Sequence, residues 1–244
     1  MQQVMAVVLR ELIILKRKFW RLFFSFTISP LLYVIAFGWA GRERFAVDGA
    51  DYSAFMLPGL IAMSAMINSF ALAVEINTAR FYWKTFDEVR TAPVADWAYV
   101  AGEVLSGMVR GLLAACIVLA IGLAFRVPIA VTPALLGGIT LTTFVFASLA
   151  ISAAMLAKSH ADQGMLTSFI ITPMAFLCGT FFPVDVYPGW LQALIHALPL
   201  TPASHVIRAA ALHAPVPPGA ALYLCIFGTL SLLAAIAVVR TARD

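Results

Sequence analysis

The sequence predicts an all-α integral membrane protein with six transmembrane helices, and three observations carry that prediction. Apolar residues make up 62% of the chain and charged residues only 11%, against roughly 25% charged in soluble domains. So few charges cannot cover a soluble surface, and lipid is the solvent that accepts the surplus apolar area. The apolar residues fall into six runs, each near the ~20 residues that cross hydrocarbon as a helix. Lysines and arginines collect at the ends of those runs instead of lining one groove. That pattern is a topology signal and not a nucleic-acid footprint, despite the formal charge of +4.

The runs are Leu22–Ala40, Phe55–Ile76, Val100–Phe125, Pro133–Leu156, Met165–Phe182 and Ala220–Val239. They read as one membrane domain over residues 1–244. The first is expected to be a retained span, because it is long and no small-residue cleavage site clearly ends it. Pro30 and Pro173 lie in or near spans and are expected to kink them, which a helix bundle tolerates. Before the first run, Val4, Val8, Ile14 and Leu15 alternate with Gln3, Arg10, Glu11 and the basic Lys16-Arg17-Lys18. This suits an amphipathic helix lying along the membrane face.

With the N-terminus inside, eleven lysines and arginines fall on inner segments. Only Arg42, Arg44, Arg126 and Arg208 fall on outer ones. The bias puts both termini in the cytosol. Trp20, Trp83 and Trp97 border the inner face, and Trp39 and Trp190 the outer.

Two connections are long. The outer one, Pro183–Gly219, is not a plain loop. Trp190, Leu191, Leu194, Ile195 and Leu198 form an apolar stripe at helical spacing, and Pro188 and Pro202 suit first turns of short helices. Short re-entrant helices dipping into the outer leaflet are expected there. The inner connection, Asn77–Tyr99, mixes charges with Phe81, Tyr82, Trp83 and Phe86. It can rest on the membrane while offering charges to a cytosolic partner, or it can be a solvated loop stopped by Pro93.

Most enzyme signals are absent from the sequence. Lys158-Ser159 lacks the glycines of a phosphate loop, and there is no zinc-binding H-E-x-x-H or nucleophile elbow. His160, His196, His205 and His213 do not share a face at ligand spacing, so no metal site is expected. Cys116, Cys178 and Cys225 sit singly in apolar runs and read as small hydrophobes. The informative charges are those inside a span, each costing roughly 2.5–3.5 kcal/mol at a helix centre. Glu103 and Arg110 stand seven residues apart, two turns along one helix face. Arg110 lies inside the close-packing spacing Gly107-x-x-x-Gly111. This face reads either as the polar wall of a transport path or as packing glue whose charge neighbouring helices satisfy. Glu75 is expected to reach the membrane interface.

Two stretches carry a resemblance. One is Asp87-Glu88, Thr91 and Pro93, followed by a span opening with Gly102-Glu103. The other is Cys178-Gly179-Thr180-Phe181-Phe182-Pro183, then Pro188-Gly189-Trp190-Leu191, Leu198-Pro199-Leu200-Thr201 and Arg208. In that order they resemble the transmembrane subunit of the ABC type-2 exporter family, which includes polysaccharide, lipo-oligosaccharide and drug efflux permeases. The chain departs from the commonest pattern at Lys84-Thr85, where many members carry an Arg-Gly-Thr-like triplet. The resemblance implies six spans per subunit and two subunits per transporter, as a homodimer or with a related permease. It also implies a separate ATP-binding-cassette ATPase that holds ATP and Mg, with no cofactor on this chain. It implies a coupling helix in the inner connection, where Asp87, Glu88, Arg90 and Thr91 would contact that ATPase. Gly179, Pro183, Pro188, Trp190, Pro199 and Arg208 would build the re-entrant region.

The expected function is therefore a permease subunit of an ATP-driven exporter in a prokaryotic inner membrane. Bulky amphipathic, lipid-linked, polysaccharide or drug-like substrates fit a wide apolar path with few charges. An intramembrane lipid-modifying enzyme would need clustered Asp, His or Ser at one interface. An ion-coupled carrier would need paired acids at mid-membrane, where only Glu103 stands.

Overall fold

The computed structural model describes residues 2–40, 46–47, 50–84 and 94–243. Helix α1 (Gln2–Arg17) ends in Lys16-Arg17, and after a turn at Lys18 the chain enters α2 (Phe19–Ala40). Met5, Leu9 and Ile13 are exposed at i, i+4 and i+8, giving α1 one uncovered apolar stripe. A minimal antiparallel ladder of β1 (Ala46–Val47) and β2 (Ala50–Asp51) follows α2.

Helices α3 (Tyr52–Phe70) and α4 (Leu72–Phe81) form one nearly continuous rod. At 1.5 Å per residue it is about 45 Å long, more than the ~30 Å of hydrocarbon. Leu60, Ile61, Ala62, Ala65 and Met66 have essentially no exposure, so α3 is the central helix of the bundle. It packs against α5 (Asp96–Ala124) and α6 (Pro133–Leu156). Thr132 caps α6, its hydroxyl accepting from the Leu135 amide at 3.1 Å, with Pro133 in the first turn. At the other end of the chain α11 (Pro218–Arg243) lies along α6, and Gly228 lets the Phe144 ring approach its backbone. Leu222, Ile226, Leu230 and Leu233 form an uncovered outer stripe on α11, as a helix at a lipid boundary requires.

Among the described residues five helical stretches are long and apolar enough to cross a membrane: Phe19–Phe37, Tyr52–Phe81, Asp96–Ala124, Pro133–Leu156 and Pro218–Thr241. They correspond to the first, second, third, fourth and sixth runs of the sequence. The fifth run, where Pro173 is expected to kink the helix, is not one continuous α-helix. It is a segmented helix made of α7 (His160–Leu166), a π-helical segment (Thr167–Ile171) and α8 (Thr172–Leu177). Pro173 supplies the physical reason. It has no amide hydrogen for the carbonyl four residues back, and its ring crowds that carbonyl, so the preceding turns widen. The helix then stops at Gly179, which takes φ +75°.

Between α8 and α11 the chain forms a 3-10 turn (Val184–Val186), α9 (Gly189–Ala197) and α10 (Leu200–Ala211). Pro188 and Pro199 cap α9 and α10, and Pro202 falls in the first turn of α10. The stripe on α9 is divided: Ile195 is fully buried while Trp190, at 74% exposure, and Leu194 point outward. The bundle thus has a basic end, bearing α1, the end of α4 and the α6–α7 turn, and a far end, bearing α9 and α10.

Candidate functional site

Polar residues that sequence order scatters gather at two places. The first runs up from the basic end along α5. Arg10 of α1 donates to Glu103 at 2.8 Å, and Arg110 pairs with Glu75 of α4 at 2.6 Å. Glu103 and Arg110 are nearly sealed, with side-chain exposures of 2% and 6%, while Arg10 and Glu75 keep 50% and 38%. Each sealed charge therefore meets an opposite charge that still reaches the outside. That arrangement offsets the cost of placing an ion in a low-dielectric interior. The two pairs sit about 10 Å apart along α5. Glu75, expected to reach the membrane interface, keeps 38% exposure and in addition pairs with Arg110.

Gly107 and Gly111 lie between these charges where three helices converge. A methyl group on Gly107 would stand 2.9 Å from the Ala147 Cβ, and one on Gly111 would stand 2.6 Å from Thr143 Cγ2 and 2.9 Å from the Ala65 carbonyl. The spacing read from the sequence is therefore a real close approach of α5 to α3 and α6. Nearby, the hydroxyls of Ser69 and Ser148 are buried without a hydrogen-bond partner among the described residues.

The ends of α4, α6 and α7 also meet at the basic end. Asn77 Nδ2 donates to Gln163 Oε1 at 2.9 Å, fully buried. Nη1 of Arg80 donates to the carbonyls of Ala154, Met155 and Ala157 at 2.5, 3.3 and 3.4 Å. Sequence reasoning assigned no role to Arg10, Asn77, Arg80 or Gln163 here. The available signal was two amide side chains, Asn77 and Gln163, bordering apolar runs. Asp87, Glu88, Arg90, Thr91 and Pro93 lie outside the described residues.

The second place is a knot at the far end around the turn Cys178–Phe181. Ser204 donates to the Cys178 carbonyl at 2.9 Å, Arg208 donates to the Gly179 carbonyl, and Tyr52 donates to the Phe181 carbonyl at 3.0 Å. Arg208 also donates to the Phe55 carbonyl at 3.3 Å, and its guanidinium lies 3.9 Å from the centre of the Phe55 ring. Gly59 brings α3 onto the turn, because a Cβ there would fall 2.6 Å from the Thr180 carbonyl oxygen. Irregular backbone at membrane depth needs its carbonyls satisfied by protein, and side chains from α3 and α10 satisfy them here. Gly179 and Arg208, 29 residues apart, are thus in contact. Pro183 and Pro188 cap the next two turns, Pro199 caps α10, and Trp190 stands away on the exposed face of α9.

The remaining candidates are dispersed. Cys178 is buried in the knot, while Cys116 and Cys225 are exposed and unbridged. The rings of His196 and His205 stand 6.4 Å apart. Among the described residues no three His, Cys, Asp or Glu side chains form a metal-holding group.

The ABC-2 type transporter family matches residues 2–212. The Inner membrane transport permease YadH of Escherichia coli (strain K12) is 31% identical over 176 residues, covering 71% of this chain and 68% of that protein. Nodulation protein J of Sinorhizobium fredii (strain NBRC 101917 / NGR234) is 34% identical over 206 residues, covering 82% and 77%. Nodulation protein J of Neorhizobium galegae is 31% identical over 229 residues, covering 87% and 83%. The matched stretch takes in the α5 charge pairs and the far-end knot. With its apolar helical bundle, the chain belongs to the ABC-2 type transporter family, as a multi-pass inner-membrane transport subunit and not an enzyme.

Proposed function

We infer that the chain is the permease subunit of an ATP-driven exporter, working as a pair of permeases with a separate ATP-binding-cassette ATPase. The observation that carries this reading is the family match joined to the two-ended build: a carbonyl-stitched knot at one end and exchangeable charge pairs at the other. The basic end is cytosolic in this reading, with both termini on that side, as the lysine and arginine bias requires. The segmented helix from residue 160 to 177 is the remaining span. Its 18 residues at 1.5 Å rise give about 27 Å, close to hydrocarbon thickness, and bring the count to six.

ATP and Mg would sit on the ATPase, and hydrolysis there would shift the permease pair between inward- and outward-facing states. Asp87, Glu88, Arg90 and Thr91 are the proposed contacts, because they stand between the second and third spans where a push moves helices. Substrates would be bulky amphipathic, lipid-linked, polysaccharide or drug-like molecules leaving between two permeases. Glu103 and Arg110, already paired, serve this reading better as bundle charges than as a stripped ion path.

The test is to reverse Glu88 and Arg90 in charge, purify the transporter with its ATPase, and measure assembly and hydrolysis. Loss of assembly or of permease-stimulated hydrolysis is the expected result. Normal assembly and full-rate hydrolysis in both variants would remove this segment from the coupling role.

A further inference from the structure

The basic end contains a connection that the family reading does not require. Asn77, Arg80 and Tyr82 follow one another at the end of α4, and each reaches across to the α6–α7 turn. Asn77 holds Gln163 in α7. Arg80 donates to three carbonyls at the end of α6. The Tyr82 ring meets the His160 ring at 5.7 Å. Residues 77–82 are therefore tied to residues 154–163 by an amide pair, a guanidinium and a ring contact.

Arg80 is the strongest of these ties. The last carbonyls of a helix have no partner within the helix and carry its partial negative charge. A guanidinium placed among them satisfies them by hydrogen bonding and by charge at once. Displacing the end of α4 without α6 would leave those acceptors unserved. The turn it grips is itself stiff. Ser159 accepts from the Asp162 amide at 3.1 Å, and the Asp162 carboxylate accepts from the Lys158 amide at 3.0 Å, a closed cap at the start of α7. One turn further on lies the π-helical segment Thr167–Ile171, where a helix re-registers most readily.

We propose that Arg80 is a positioning residue that carries movement of the inner connection into the α6–α7 turn, so that the segmented helix is driven together with spans two and three. This rests on the reading that residues 77–99 receive the work of an ATPase. It extends that reading from the two helices flanking the connection to a third that is distant in sequence.

The experiment uses the full chain in lipid nanodiscs with Cys116→Ala and Cys225→Ala, and spin labels at Trp83 and Lys158, both exposed. In the permease alone, the Trp83–Lys158 distance distribution is expected to be narrow in the parent and in Arg80→Lys, and at least twofold broader in Arg80→Met. In the complex with its ATPase, a second pair at Lys158 and Val186 reports movement of the turn against the far end. Trapping with ATP and vanadate is expected to shift that distance in the parent and Arg80→Lys, and by less than a quarter as much in Arg80→Met. Equal width, or an equal nucleotide shift, in Arg80→Met would overturn the proposal. If the parent complex fails to assemble or shows no nucleotide shift, the ATPase reading fails, and the Trp83–Lys158 widths still decide whether Arg80 holds the turn. A monodisperse gel-filtration profile for Arg80→Lys but not for Arg80→Met would reduce Arg80 to a folding role and count against it.

Discussion

At the far end, side chains bond to backbone; at the basic end, several of the key bonds join side chain to side chain. Tyr52, Ser204 and Arg208 each serve a carbonyl of one irregular turn, and Gly59 removes the last atom that would keep α3 off it. A backbone acceptor has no rotamer to change, so such a knot has one arrangement. Arg10–Glu103 and Glu75–Arg110 instead pair a sealed charge with a partly exposed one. The exposed partner already touches water, so such a pair can switch to another opposite charge, provided the sealed charge is never left alone. The difference teaches where a bundle of this kind stays fixed and where it can move.

The largest expected effect breaks the fixed end. Arg208→Met takes a charged donor from the Gly179 and Phe55 carbonyls and removes a cation from an aromatic face. The expected cost is about 3 kcal/mol, or roughly 6–12 °C in apparent melting temperature for a chain of this size. Arg208→Lys should recover less than half, because one ammonium nitrogen cannot reproduce the separate Nε and Nη2 donors and the planar contact with the Phe55 ring. A thermal-shift series in detergent checks this, and full recovery by lysine would mean that charge alone matters.

Overpacking comes next. Gly59→Ala and Gly111→Ala each force a Cβ into backbone or side-chain atoms, at about 1–3 kcal/mol. Gly137 and Gly164 have open space at the same position, so alanine there should be neutral or slightly stabilising. The same thermal series separates the two groups, and equal effects would refute the packing described around α3 and α5.

The basic end should give smaller and asymmetric effects. Arg10→Gln gives a sealed carboxylate a neutral donor in place of a charged one, whereas Glu103→Gln weakens one contact of an arginine that is already half exposed. The first should cost about 1–2 kcal/mol and the second under 1 kcal/mol. The ratio of the two melting shifts checks it, and a larger effect from Glu103→Gln would place the Arg10 charge in a more enclosed setting than its exposure indicates.

Much of this fold was legible in the sequence because membrane constraints are one-dimensional. Length and apolarity mark five spans, lysine and arginine placement marks the ends, and the stripe around Trp190 with its prolines marks α9 and α10. A kink in the fifth helix was legible from Pro173, but the π-helical segment before it was not. One proline produces it, and whether a proline kinks, caps or widens a helix depends on neighbours. The close approach at Gly107 and Gly111 was readable from spacing alone. The pairing of Arg10 with Glu103, 93 residues apart, was not, since no periodicity links a surface helix to a span. The pairing of Glu75 with Arg110 was hidden for the same reason: its distance from a span end was visible, but the helix opposite it was not. Arg80 looked like one more inner-side cation until its carbonyl partners on α6 were seen.

The central claim is that the basic end moves with nucleotide while the far-end knot holds. Hydrogen exchange on the permease–ATPase complex, with and without ATP and vanadate, tests it most directly. The expected result is a several-fold change in exchange over Leu72–Lys84 and Lys158–Ile171, with the amides from Cys178 to Phe181 and in α10 unchanged. Change confined to Cys178–Phe181 and α10, or no difference between the two ends, would contradict it.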